Sequence, residues 1–277
     1  MEGPEAVEPS HLLYLYCICK GGSSVSLEEG IEAGARVFGL PYRDLCALVS
    51  YVPAASYGQT VLRERVEDPQ WLVPRVARHD EIVREVMRTY PVIPMRFGSL
   101  YASEKGVLRL LRSGYEPLCS FFEAVRDKEE WGLKVYVRRK AMPRQDGAFG
   151  TLLESQNGES AEVGSGLAYL QHKKRVDLLE KETERLLASL ADQVYARGLS
   201  RSAEGRRNRL LSRKATGRDQ EMILNAAFLV RREGVAPFKQ ALERLAEGGG
   251  LLLEFSGPWP PYNFCPDLET APEGRGT

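Results

Sequence analysis

His79, Asp80 and Glu81 stand in a row, and an imidazole beside two carboxylates is raw material for general acid–base chemistry. Their surroundings have helical period, however. Adjacent residues on a helix diverge by about 100°, so the three groups do not converge on one substrate atom. A solvated helix face with an ion pair to Arg84 accounts for them. The other histidines, His11 and His172, lie far off in sequence, and the cysteines at 17, 19, 46, 119 and 265 lack the paired Cys-x-x-Cys spacing of a zinc or redox site. Cys17 and Cys19 sit two apart on an expected strand and so point to one face, which suits buried reduced thiols. Phosphate-loop, dinucleotide and nucleophile-elbow motifs are absent. GSGLAY at Gly164 is a glycine-rich entry to a helix, and such turns commonly serve the linker alone. The reading is therefore of a chain with no catalytic residues, no cofactor and no metal.

Arg96 is the one charge in the apolar, proline-stiffened stretch PVIPMRFGSL from Pro91 to Leu100. Two readings fit it: a salt bridge to a carboxylate of its own domain, or a position, with Pro94, Phe97 and Gly98, on an edge that a partner strand or helix can meet. A second such stretch is LLLEFSGPWPPYNF, Leu251 to Phe264, a short apolar strand that three prolines take out of its sheet. Trp259, Pro260, Pro261 and Tyr262 then either fold back to cap the open end of a core or present a rigid recognition surface.

The 277 residues, 43% apolar and 27% charged, suffice for two domains. No apolar run approaches the ~20 residues that cross a bilayer, and MEGPEAVEPS is acidic with no signal-peptide core, so a cytoplasmic protein is expected. Charge balances at 38 basic and 38 acidic residues, which argues against a whole surface built for nucleic acid. The balance hides a local excess, since Arg201, Arg206, Arg207, Arg209, Arg213, Lys214 and Arg218 face only Glu204 within that segment.

The elements that must position these residues follow from period and punctuation. Residues 1–10 read as a disordered lead. Leu12 to Cys19 and Leu45 to Val52 read as paired strands, with a variable connection between them. Val76, Val83, Val86, Met87 and Tyr90 mark an amphipathic helix opened by Pro74 and stopped by Pro91, and a further helix begins at Ser103. The RDKEE run at Arg126 marks a boundary. Beyond it Trp131 to Arg138 alternates as a half-buried strand, 142–164 is a polar linker, and Gly166 to Arg197 is one long helix with a seam of Val176, Leu179, Thr183, Leu186, Leu190 and Val194. A short strand near Leu210, a strand over Met222 to Val230, a helix over Val235 to Ala246 and a last strand complete a set that fits a ferredoxin-like antiparallel sheet with helices. The expectation is an α+β protein with an N-terminal domain over 11–128, a C-terminal domain over 129–264 and a tail over 265–277.

SGPWPPYNF after a short strand resembles the closing motif of the gas-vesicle accessory family F/L, whose members help build protein-walled flotation vesicles. The stretch VARHDEIVREVMRTYPVIPMRFGSLYASEKGVLRLL, Val76 to Leu111, resembles that family's central motif, and weaker matches lie at LLYLYCIC, WGLKVYV and MILNAAFLV in the same order. The resemblance implies two α+β domains, the second a modified ferredoxin-like unit, and a non-enzymatic assembly factor. It implies binding to gas vesicle shell protein A, the small hydrophobic shell subunit, and to other accessory vesicle proteins, with protection from aggregation during nucleation or growth; nucleic acid, membrane and small-molecule substrates have no part in it. Pro94, Arg96, Phe97, Gly98, Trp259, Pro260, Pro261 and Tyr262 are the candidate contacts. The alternative is a nucleic-acid or anionic-partner module working through the basic segment Arg201 to Arg218.

Overall fold

The apolar run after Ser10 is the middle of a sheet covered on both faces, which is why it lacks the polar alternation of a half-exposed strand. The computed structural model describes residues 10–22, 24–137, 166–247 and 250–266, and the chain divides into two compact units, Met1–Asp127 with Trp259–Thr277, and Lys128–Pro258. In the first unit β1 (His11–Lys20) pairs antiparallel with β4 (Leu45–Pro53), from His11 against Pro53 to Lys20 against Leu45. With β2 (Ser26–Leu27), β3 (Val37–Tyr42), β5 (Val92–Pro94) and β6 (Leu100–Tyr101), the sheet order is β2-β3-β4-β1-β5, and β6 also pairs with β1.

A bulge between Leu15 and Cys17 shifts the side-chain alternation of β1. Leu13, Leu15 and Ile18 join one core, while Tyr14, Tyr16, Cys17 and Cys19 join the other. The second of these is covered by α3 (Pro69–Met87), through Trp71, Ile82, Val83 and Val86, preceded by α1 (Ala54–Tyr57) and α2 (Gln59–Arg65). The first is covered by α4 (Glu104–Ser113) and α5 (Tyr115–Ala124), through Val107, Leu110, Leu111, Leu118 and Phe122. The Ser103 hydroxyl caps α4 by accepting from the Gly106 amide.

Two features differ from the sequence expectation. Pro74 does not open its helix; it lies inside α3, which begins at Pro69 because the Asp68 carboxylate accepts the Gln70 amide and proline suits the first helical position. The connection between the first two expected strands contains β3, which Gly39 and Pro41 disguise. β2 reaches only Val37 and Phe38, so Pro41 loses no hydrogen bond on that side of β3.

In the second unit β7 (Lys128–Val137), α6 (Gly166–Leu199), β8 (Glu204–Arg207), β9 (Glu221–Arg231), α8 (Val235–Ala246) and β10 (Leu251–Trp259) form the β-α-β-β-α-β sequence of a ferredoxin-like fold, with a short α7 (Arg213–Thr216) before β9. The sheet order is β10-β7-β9-β8, with β9 antiparallel to both β7 and β8. The core gathers Leu133, Val135 and Val137 of β7, Leu187, Ala191 and Val194 of α6, Phe228 of β9, and Phe238 and Leu242 of α8. The α6 seam thus runs through Leu187 and Ala191, and Leu186, expected inside, is exposed. The polar linker read at 142–164 and the Gly164 turn lie outside the described residues.

The unit boundary near the C-terminus also differs from the expected domain end at 264. Pro258 does not end the last strand, since β10 runs through it to Trp259; Pro260 and Pro261 stop the chain from pairing further, and residues 259–266 group with the first unit. Phe264 is buried, and Cys265 packs beside the core that α4 and α5 cover.

Candidate partner-binding surface

The Pro-Met-Arg-Phe-Gly stretch is tied down from beneath by a buried polar relay. Tyr14 of β1 hydrogen-bonds through its hydroxyl to His79 Nδ1 of α3 at 2.9 Å, and His79 Nε2 lies 3.1 Å from the Met95 carbonyl. A carbonyl only accepts, so the proton sits on Nε2 and Nδ1 accepts from Tyr14. The Gly98 amide donates in turn to the Tyr14 oxygen at 3.2 Å. Burial disfavours the charged imidazole and lowers the His79 pKa to about 4, so the ring is neutral at pH 7. The same desolvation pushes the Tyr14 phenol up.

Around this relay Phe97 meets Tyr14, His79 and Trp71 edge-on, with centroids 6.0, 6.2 and 6.3 Å away. Gly98 has φ of 82°, and a Cβ there would stand 3.0 Å from Leu62 Cδ2, so glycine allows this turn its close approach. The Met95 amide donates to the Tyr16 carbonyl, prolonging the β1 pairing beyond β5. Arg75 of α3 adds a clamp on the loop before β3: it meets Glu32 at 2.9 Å and lies over Trp71, while Tyr57 donates to the same carboxylate at 2.7 Å.

The segment after β10 comes to rest along α3. Tyr262 points its hydroxyl at Asp80 Oδ1, 3.4 Å away, and the Arg84 guanidinium lies 5.6 Å from the Trp259 ring centre. Arg84 also pairs with Asp80 at 2.9 Å. The Cys265 thiol sits 3.1 Å from the Pro261 carbonyl and 3.9 Å from that of Pro94, so the tail reaches the β5 edge as well. Val73, Val76, Asp80 and Arg84 step by three and four along one face of α3. Val73 is 62% exposed and Val76 40%. Their apolar stripe therefore runs into the two aromatic rings held over Asp80 and Arg84.

The eight expected contact residues divide by burial. Pro94, Pro260 and Pro261 are buried; Phe97, Gly98 and Trp259 are half-buried; Arg96 and Tyr262 are exposed. Sequence reasoning missed the outward face of α3, having placed Val76 inside; its first turns also carry Trp71 and Leu72, and these take the core side. It missed His79 as well, which is 3% exposed and belongs to the core, whereas Asp80 and Glu81 keep the surface role expected of them. Glu81 pairs with Arg78 at 2.7 Å, and that pairing lowers its carboxyl pKa. Among the described residues no group of three or more His, Cys, Asp or Glu side chains could hold a metal ion, and no helix is long and apolar enough to cross a membrane.

Comparison with known proteins agrees with this architecture. The chain is 28% identical over 257 residues to gas vesicle protein L of Streptomyces sp. (strain CB03234), covering 92% of each chain. It is 24% identical to gas vesicle protein F2 of Halobacterium salinarum (strain ATCC 700922 / JCM 11081 / NRC-1), again over 92% of each. The crystal structure of the gas vesicle protein GvpF from Anabaena sp. PCC7120 superposes with a TM-score of 0.67 at 18% identity, covering 93% of this chain and 99% of the other. That of GvpF from Microcystis aeruginosa gives 0.59 at 17% identity, covering 92% and 99%. These two likenesses carry the α+β fold. The profile of the family described as "Gas vesicle synthesis protein GvpL/GvpF" matches residues 12–266, from the central strand to the docked tail, and the chain belongs to that family of gas vesicle accessory proteins.

Proposed function

We propose that this chain binds the small hydrophobic shell protein of the gas vesicle, keeps it from aggregating, and accompanies it during nucleation or growth of the shell as a minor component. It acts by contact, without catalysis. The observation that carries this reading is the exposed apolar stripe of α3, Val73 and Val76, extended by Trp259 and Tyr262 in a member of a gas vesicle family. A shell subunit that exposes an apolar face or strand edge before assembly is an aggregation hazard, and a partner offering a rigid apolar strip lowers it. Trp259, Tyr262 and Arg96 make the contact, and Phe97 and Gly98 line its margin. The buried Pro94, Pro260 and Pro261 hold these residues in place.

The test is a pull-down of co-expressed shell protein by the chain and by a Val73→Asp, Val76→Asp, Tyr262→Ser variant. These side chains are exposed, so the variant should melt with the parent. Capture should fall about tenfold or more, as loss of an interface anchor entails. Undiminished capture by a folded variant removes the contact from this surface.

A further inference from the structure

The gas vesicle reading leaves one surface unused, the free edge of the second sheet. β8 ends the order β10-β7-β9-β8, so its outer side pairs with no strand among the described residues. From Arg206 to Ala215 every residue is exposed. Residues 208–211 are nonetheless held along β9 past the end of β8, before Ser212 caps α7: the Asn208 amide donates to the Asn225 carbonyl at 2.7 Å, the Asn225 side chain donates to the Arg209 carbonyl at 2.8 Å, and the Leu211 amide lies 3.4 Å from the Met222 sulfur. Their backbone path is thus set before anything binds.

The chemistry of this edge is cationic with an apolar centre. Arg207 pairs with Asp192 at 2.6 Å and Arg218 with Glu254 at 2.6 Å. Arg201, Arg209, Arg213 and Lys214 make no ion pair among the described residues. Between Arg209 and Arg213 stand Leu210 and Leu211, 50% and 40% exposed. Charges on a sheet edge can serve merely to repel stray strands. Two adjacent exposed leucines work against that purpose, and suit instead a site that attracts by charge and anchors by burial.

We infer that the β8 edge and the Arg209–Lys214 segment form a docking site for an acidic, extended peptide segment of a partner protein, which adds to the sheet beside β8 and covers Leu210 and Leu211. Charge selects the occupant, because the edge offers uncompensated cations and carboxylates complement them. The extended backbone selects its conformation, since an open edge is completed by another strand. Nucleic acid fits less well, because residues 201–218 contain no aromatic ring on which bases could stack.

Fluorescence anisotropy on the full chain tests the inference, with a short labelled peptide of alternating glutamate and valine as the probe. The peptide should bind at low salt and weaken as salt rises. Arg209→Glu with Arg213→Glu and Lys214→Glu should weaken it about tenfold or more, since each reversal replaces an attraction by a repulsion. Leu210→Ser with Leu211→Ser should weaken it at every salt concentration. Peptides N-methylated at alternate amides, in the two possible phases, separate strand addition from simple charge attraction: one phase should lose binding. All variants alter exposed side chains, and unchanged melting verifies their fold. No binding at low salt, equal binding to the charge-reversed chain, or equal binding of both methylated phases overturns the inference. So does oligothymidine or an anionic lipid vesicle that binds more tightly than the peptide and displaces it.

Discussion

His79 shows how one buried side chain can join three elements. Its Nε2 proton holds the Met95 carbonyl, its Nδ1 holds the Tyr14 hydroxyl, and Tyr14 receives the Gly98 amide. Folded His79 takes up a proton only near pH 4, whereas the unfolded side chain does so near its ordinary 6.5. The unfolded state therefore binds more protons between these values, and stability falls as pH drops from about 6.5 towards 4, by up to about 3 kcal/mol, with no effect above that window. Urea titrations of the chain and of His79→Gln at pH 7 and pH 5 check this. The glutamine can keep a donor and an acceptor but cannot titrate, so its stability should fall less on acidification; an equal fall in both proteins would refute the role. The sequence hid this residue because His79 shares its helix with Arg78, Asp80, Glu81 and Arg84, and its charged neighbours dominate the pattern. Cys17 and Cys19 were easier to read: strand period put them on one face, and both lie in the core beneath α3. Burial holds the Cys17 thiol pKa above its ordinary range.

At the scale of elements, strands and helices were legible where runs or regular spacings of apolar residues mark them. β1, β4, β7, β9 and the helices over α4, α6 and α8 follow from runs or spacings of apolar residues. On α3 the facing is what escaped: apolar residues stand on two of its sides, and the outward position of Val76 could not be told from an inward one. In α6 a glycine marks a close approach to the sheet. A Cβ on Gly198 would stand 2.6 Å from Phe228 Cζ, and that ring is itself enclosed by Tyr195 and Phe238. Gly198→Ala should therefore cost roughly 1–3 kcal/mol by overpacking, outweighing the ~1 kcal/mol that alanine gains in helix propensity. Denaturant unfolding measures the balance, and a stabilised variant would show that α6 can move off the sheet.

For the whole molecule, the order of elements announced an α+β chain and the ferredoxin-like set, while the path of the last residues was out of reach. Nothing in SGPWPPYNF states which core receives Phe264, because proline specifies an exit from a strand and not a destination. Phe264 belongs to the first unit and is 5% exposed, so Phe264→Ala should destabilise that unit by about 3 kcal/mol, read from its melting. An unchanged melt would mean that the docked tail contributes little. If the tail does hold Trp259 and Tyr262 beside the α3 stripe for a partner, loosening it should also weaken that partner's capture. The most direct measurement is co-expression of the unaltered chain with the vesicle shell protein, followed by pull-down and assay of soluble shell protein at two salt concentrations. Capture that barely responds to salt, together with more soluble shell protein, is the predicted result, because apolar docking is not screened by ions. Absence of capture, or capture without any gain in solubility, would contradict the assembly role.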